Sequence, residues 1–354
     1  MHPRWSVVRR FAAAASIAPA LLSTAAAQQP SQPQFTDRAV VARILIDARV
    51  VDDAGQPVLD LAAADFDVEI GGEPAPIDSV AWVSGVRVSD DELLAAASTS
   101  TAPLPQGRLV VLLFQKDMER GRIRGLIRML AEIRGFLDTF TPDDRVAVLS
   151  FDTYLKIWRD FTNDYDDIDT VLAQNVLFRS PGPVQATSAP SLLAHLDPAE
   201  ARKTFAIEKA LRLVADALEP LPGSKSVVLI GHGFGYMTRN FDVILNNRFR
   251  ETSLALQAAR VAVFSLDLTD AGGHALEVGL QAVSDETGGF FARTHIFTER
   301  ALNELEGALA GHYVLFVEKP DLGPGDHRIR VRLTRAKGEV LARLTWSDTS
   351  GADR

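Results

Sequence analysis

The hydrophobic period of this chain changes twice along its length, and no other feature constrains its fold as tightly. Between residues 108 and 311, short unbroken apolar runs alternate with longer stretches whose apolar residues recur every three or four positions. "RLVVLLF" (108–114), "DRVAVLSF" (144–151), "SKSVVLIG" and "VAVFSLDL" are runs suited to strands covered on both faces. "MERGRIRGLIRMLAEIRGFLDTF" places Ile123, Leu126, Ile127, Leu130, Ile133 and Leu137 on one face of a helix. "DYDDIDTVLAQNVL", "PAEARKTFAIEKALRLVADALEPL", "ETSLALQAAR", "HALEVGLQAVSDETGG" and "TERALNELEGALAG" read as further helices, the second with Pro198 near its start and the fourth ended by Gly288 and Gly289. "TYLKIWRDF" (153–161) and "FFARTH" are shorter strands. This alternation predicts an α/β domain with a doubly wound, mainly parallel sheet. Arg120, Arg124 and Arg128, spaced by four on another face of the first helix, read as a solvated face.

On either side the period is two. "ARILIDARVVDDAGQPV" and "DFDVEIGGEPAPIDSVAWV" precede the α/β stretch, with turn signals at Asp52–Gly55 and Gly71-Gly72. "HYVLFVEKP", "HRIRVRLTR" and "EVLARLTW" follow it. Neither half has enough strands to close a core alone. The expectation is a small β-sandwich-like domain made by both ends, with the α/β domain inserted in it. The boundaries expected are 39–88 for the N-terminal β segment, 89–107 for a small-residue linker, 108–311 for the α/β domain and 312–347 for the C-terminal β segment.

The first 27 residues carry Arg4, Arg9 and Arg10 and no acid, then an apolar run ending in Ala25-Ala26-Ala27. A basic start, a short apolar core and a small-residue exit describe a secretory signal peptide, here 1–27, with a polar linker at 28–38. The residues around Arg9-Arg10 fit a twin-arginine signal poorly, so the general secretory route is expected. Export to the periplasm or beyond follows, with no membrane span after cleavage. The net charge of −9 becomes −12 once the three leader arginines are removed, which disfavours nucleic acid as a partner. With no cysteine in the chain, disulfides and thiolate chemistry are excluded.

"VVDDAGQPVLDLAAADFDVEIGGEP", "DETGGFFAR" and "ALAGHYVLFVEKP" followed by "HRIRVRLTR" occur in an order and spacing that resembles the von Willebrand factor type A (VWFA) superfamily, in particular the secreted VWFA-related proteins abundant in Acidobacteria. The resemblance covers about residues 40–346. It implies a ligand site at the top of the sheet, where type A domains hold a divalent cation in a metal-ion-dependent adhesion site (MIDAS) built on D-x-S-x-S, a threonine and a further aspartate. Such a hard cation wants oxygen ligands in near-octahedral array.

Carried onto this sequence, the D-x-S-x-S positions fall on Gln115, Asp117 and Glu119. The threonine falls on Thr204 or Phe205, and the last aspartate on His232. The adhesion site is therefore degenerate. Gln115 offers only a neutral carbonyl, and His232 offers a nitrogen that magnesium disfavours. The bland reading of "QKDME" is a solvated loop opening a helix, where acids suit the dipole. "GHGFG" (231–235) lacks the serine of a nucleophile elbow, and no phosphate-loop motif occurs anywhere. His195, His274, His295, His312 and His327 are isolated by local motif, Ser150 has no local histidine partner, and "DYDDIDT" lacks a calcium-loop pattern.

The reading that results is a non-catalytic, exported, adhesion-type binding protein without a cofactor. It would recognise a protein or other cell-envelope macromolecule through loops 115–122, 178–197 and 232–248, with Gln115, Asp117, Glu119, Thr204 and His232 as ligand-binding positions. The alternative keeps a magnesium or other divalent ion on Asp117 and Glu119. A hydrolase with an unrecognised site is the third possibility.

Overall fold

The computed structural model describes residues 43–84, 107–188, 190–240 and 242–348. The expected leader, the 28–38 linker and residues 89–106 lie outside these.

Four strands come first: β1 (Arg43–Val51), β2 (Phe66–Ile70), β3 (Glu73–Pro74) and β4 (Ile77–Ser84). The α/β stretch follows as β5 (Arg108–Gln115), α1 (Arg120–Phe136), β6 (Arg145–Phe151), β7 (Leu155–Thr162), α2 (Tyr165–Gln174), α3 (Pro198–Ala201), α4 (Ile207–Leu218), β8 (Ser224–Gly231), β9 (Tyr236–Met237), β10 (Val243–Ile244), α5 (Asn247–Ala258), β11 (Val261–Asp267), α6 (Glu277–Thr287), β12 (Phe291–Arg293) and α7 (Thr298–Leu309). The chain closes with β13 (Gly311–Glu318), β14 (Gly325–Leu333), β15 (Glu339–Ala342) and β16 (Thr345–Asp348).

The central sheet has the order β12-β11-β8-β5-β6-β7. Every neighbouring pair is parallel except β6 and β7. The apolar runs are explained by burial on both faces. Val110, Leu112 and Phe114 of β5 join one core with Leu126, Met129 and Ile133 of α1 and with residues of α2 and α7. Leu109, Val111 and Leu113 join the other, against α4, α5 and α6. Each such side chain contributes about 1.5–3 kcal/mol on burial. One close approach fixes the placement of α1: a Cβ at Gly125 would overlap the Leu268 carbonyl.

The two chain ends meet in antiparallel pairs. One four-stranded sheet has the order β15-β1-β13-β4, the other β16-β14-β2-β3. Ile46, Val68, Ile70, Tyr313, Leu315 and Ile329 from both sheets share a third core. Tyr313 anchors it: its ring meets Phe66 edge-on at 5.4 Å, and its hydroxyl donates to Val58 O at 2.9 Å and accepts the Leu61 N–H at 3.2 Å.

Two elements differ from the pattern in the sequence. "EVLARLTW" is not one strand but two, β15 pairing with β1 and β16 with β14. The helix expected from Pro198 through Leu218 is broken into α3 and α4. At the break the Thr204 hydroxyl donates to Ala201 O at 2.9 Å and Phe205 takes φ +40°, which ends one helical segment before the next begins.

Candidate functional site

In an open parallel sheet, ligands gather beyond the carboxyl ends of the strands, because loops diverge there and helices begin. Here that edge is made by Gln115 at the end of β5, Gly231 at the end of β8 and Asp267 at the end of β11.

Gln115 is buried, and both ends of its amide are hydrogen-bonded inside the protein. Its Oε1 accepts the His232 N–H at 3.1 Å and its Nε2 donates to Gly233 O at 3.0 Å. The pair of bonds ties the exit of β5 to the exit of β8. The tie requires glycine at 231, since a Cβ there would lie 2.5 Å from Gln115 Oε1. Gly233 and Gly235 complete the tight exit at positive φ.

Asp117 and Glu119 share one cation, and it comes from helix α1. The Arg122 guanidinium bonds Asp117 Oδ2, and its Nε lies 3.3 Å from Glu119 Oε2. Asp117 Oδ1 also accepts the Glu119 N–H at 2.9 Å, and Glu119 is the N-cap of α1. Burial pushes the Asp117 carboxyl up, but the Glu119 N–H and the Arg122 guanidinium outweigh it and hold it below the usual carboxylate range.

His232 Nε2 stands 3.9 Å from Asp117 Oδ2. Burial, and after it the charge of Arg122, pushes the imidazole down to about 4. It is therefore neutral at pH 7, and the approach to Asp117 is a polar contact rather than an ion pair. Thr204 is not part of this group. Its hydroxyl accepts the Leu155 N–H at 2.9 Å and closes the α3 turn, so it serves backbone alone. Of the two residues the threonine position could fall on, Thr204 is the buried one and Phe205 projects into solvent.

The structure thus brings Gln115, Asp117, Glu119 and His232 together and leaves Thr204 apart. These residues do not suit a magnesium ion. A guanidinium stands on both carboxylates, the one amide carbonyl is spent on a backbone N–H, and the histidine supplies nitrogen. Arg122 was not singled out by sequence because its spacing does not follow the Arg120, Arg124, Arg128 series. Within that series Arg124 reaches Asp270 at 2.8 Å, which ties α1 to the loop after β11.

The three loops expected to form the site divide. Residues 115–122 and 232–248 lie at the carboxyl edge. Loop 178–197 starts there, where Lys116 Nζ donates to Val176 O at 2.7 Å, but its second half is anchored toward the opposite edge. The buried Asp160 carboxylate of β7 accepts the N–H groups of Thr187 (3.0 Å) and Leu192 (2.7 Å) and the Ser191 hydroxyl (2.6 Å). Thr187, Ser191 and His195 then line a cavity of about 480 Å³ with Gly107, Asp143 and Gly223 from the amino ends of the strands.

Other singled-out groups have structural partners. Ser150 accepts the Trp158 indole N–H at 2.9 Å. In "DYDDIDT", Asp164 caps α2, while Asp167 pairs with Arg159 and Asp169 with Arg134.

No family model matches the chain, and no curated protein matches it. Among solved structures, it is similar to von Willebrand factor type A from Catenulispora acidiphila, at 10% identity over 83% of this chain and 76% of that one, with a TM-score of 0.41. It is also similar to the conserved hypothetical protein BatB from Bacteroides thetaiotaomicron, at 14% identity over 56% of this chain and 97% of that one, TM-score 0.37. A third is an aerotolerance-related membrane protein from Bacteroides fragilis, at 14% identity over 57% and 96%, TM-score 0.36. All three scores lie below 0.5, and the fold rests on the sheet itself. Among the described residues no helix is long and apolar enough to cross a membrane.

Proposed function

We propose that this chain is an exported, non-catalytic binding protein that recognises a macromolecule, most readily a protein, through the loops at the carboxyl edge of its parallel sheet, without a metal at the adhesion-site positions. One observation carries the reading. Large apolar side chains that a folded chain would ordinarily cover are exposed on these loops: Met118 (68%), Phe178 (75%), Tyr236 (45%), Met237 (54%) and Ile244 (55%). Ile296 and Phe297, in the turn after β12, are exposed on the same edge. Single exposed apolar residues are ordinary, but several on adjoining loops suit an interface core, where Met and aromatic residues are enriched.

The polar groups beneath support the same reading. Gln115 is bonded internally, and Arg122 reaches both acids and offsets one of their two charges, so the loops rest on a closed base rather than on an open cation site. The long exposed side chains then supply contact area, and the rigid base limits the ordering cost of binding.

The test is retention of an envelope protein by the immobilised mature chain, compared with a variant carrying Met237→Asp and Ile244→Asp. A partner retained by the native chain, lost from the variant and unaffected by EDTA is expected. Retention equal in both, or release by EDTA, would overturn the proposal.

A further inference from the structure

One group at the carboxyl edge is not used by the reading above. Asp267, at the end of β11, has a carboxylate with 0% exposure. Among the described residues its partners are the Thr269 N–H, at 2.9 Å from Oδ1, and His274 Nε2, at 3.0 Å from Oδ2. A carboxylate this deeply buried is ordinarily paired with a cation or bound to a metal. The Arg293 guanidinium, whose charge Asp267 feels, donates through Nε and Nη2 to Glu277, at 2.8 and 2.7 Å.

Glu277 opens α6, three residues after His274. One ligand atom from each of Asp267, His274 and Glu277 lies within 4.8 Å of the other two. Around a tetrahedral zinc with bonds of about 2.0 Å, ligand atoms stand about 3.3 Å apart. The Asp267–His274 pair, at 3.0 Å, is close to that separation, and Glu277 reaches it by a side-chain adjustment.

We propose that Asp267, His274 and Glu277 form a binding site for a divalent first-row transition metal, zinc above all, with a fourth coordination position open to solvent or ligand. The donor chemistry selects the ion. One imidazole nitrogen with two carboxylate oxygens suits zinc, cobalt or manganese and disfavours magnesium. In the metal-free protein, a hydrogen bond between His274 Nε2 and Asp267 Oδ2 spans the place the ion takes. Binding requires Nε2 to give up its hydrogen, with the neutral ring then carrying its one hydrogen on Nδ1, and leaves both atoms as ligands.

The surrounding residues act as an outer shell. The Thr269 N–H fixes the Asp267 carboxylate through Oδ1 and leaves Oδ2 for the metal. Arg293 orients Glu277 through its bidentate pair, as ligating carboxylates elsewhere are held by hydrogen bonds. The site is distinct from the Asp117–Glu119 pair, where one guanidinium reaches both carboxylates; here Arg293 pairs with Glu277 alone, and Asp267 Oδ2 meets only His274.

The sequence signature, Asp-x6-His-x2-Glu, spans a strand exit and a helix start, so local motif reading passes over it. His274 there is an isolated histidine. Only the fold brings Asp267 to it.

The experiment is titration of the full mature chain, freed of metal by chelator and dialysis, with zinc by calorimetry and with cobalt by visible absorption. The native chain should take up one equivalent, with the intense visible bands of four-coordinate cobalt. His274→Ala and Glu277→Gln, both at half-buried positions, should each lose at least tenfold in affinity and the cobalt bands, while their circular dichroism stays native. The double variant Asp117→Ala, Glu119→Ala should titrate as the native chain does. No stoichiometric uptake by the native chain, or uptake unchanged in His274→Ala, would overturn the proposal. Because no partner enters this measurement, its outcome is independent of whether the apolar loops bind a protein.

Discussion

Arg122 bonds Asp117, and by doing so it places a side-chain cation from helix α1 between two loop carboxylates at the head of the first central strand. In the arrangement that the von Willebrand resemblance implies, a divalent ion would neutralise this loop. Here a guanidinium of the chain itself offsets one of the two carboxylate charges.

That relationship gives the first prediction. Arg122 is a quarter exposed and Glu119 more than half, so solvent screening keeps the ion pairs weak, about 0.2–1 kcal/mol each. Arg122→Ala should lower stability by about 1 kcal/mol in chemical denaturation. It should also leave two unbalanced carboxylates, so that magnesium raises the melting temperature of the variant but not of the native chain. A magnesium-dependent rise in the native chain that disappears in the Asp117→Ala, Glu119→Ala variant would restore the metal-bound alternative.

Gln115 carries the second. Its truncation to alanine leaves the His232 N–H and Gly233 O without their buried partners, each worth about 1–3 kcal/mol. A loss of about 2–4 kcal/mol is expected in urea denaturation. Gly231→Ala should cost a similar amount, because its Cβ meets Gln115 Oε1 at 2.5 Å. Combined, the two should cost less than their sum, since the smaller side chain at 115 removes the clash.

A third concerns the buried anchor of loop 178–197. Asp160→Ala removes the acceptor of the Thr187 and Leu192 N–H groups and the Ser191 hydroxyl. Bonds to a charged group contribute about 1.5–3 kcal/mol each, so a loss of at least about 3 kcal/mol is expected. Limited proteolysis should find new cleavage between residues 184 and 195. Unchanged cleavage there would mean that Asp160 does not hold the loop.

The fourth is a pH dependence. Burial first, and then neighbouring arginine charge, pushes both His232 and His312 from the ordinary 6.5 down to about 4. In the unfolded chain each binds a proton as pH falls through 6.5, while in the folded chain neither does until about 4. The unfolded state therefore holds more protons between these values, and stability falls with pH across that window. Each histidine contributes up to about 3 kcal/mol. Urea denaturation at pH 7 and pH 4.5 should show the fall, and His232→Gln should reduce it. A flat profile from pH 7 to 4.5 would contradict the assignment.

Much of the architecture was legible in period alone. The runs in β5, β6, β8 and β11 are continuous because both faces of the sheet are covered, and the helices between them keep a three-and-four spacing because one face is. Local chemistry hid the rest. The break between α3 and α4 depends on the Thr204 hydroxyl and a positive φ at Phe205, neither of which leaves a periodic trace. The split of β15 from β16 depends on two strands choosing different sheets. At the site, the positions of Gln115, Asp117, Glu119 and His232 followed from alignment with a strand exit. The role of Arg122 did not, because a helix arginine reads as a solvated one until its neighbours are known. Asp267, His274 and Glu277 escaped for the same reason, since their proximity is made by the turn from β11 into α6.

The central claim, recognition through apolar loops on a closed base, is tested most directly by hydrogen–deuterium exchange of the mature chain with its captured envelope partner, in EDTA. The account predicts protection in residues 116–122 and 232–246, with the amino-end cavity around Thr187 and Gly223 unchanged. Protection confined to that cavity or to the terminal β-sheets, or lost on adding EDTA, would contradict it.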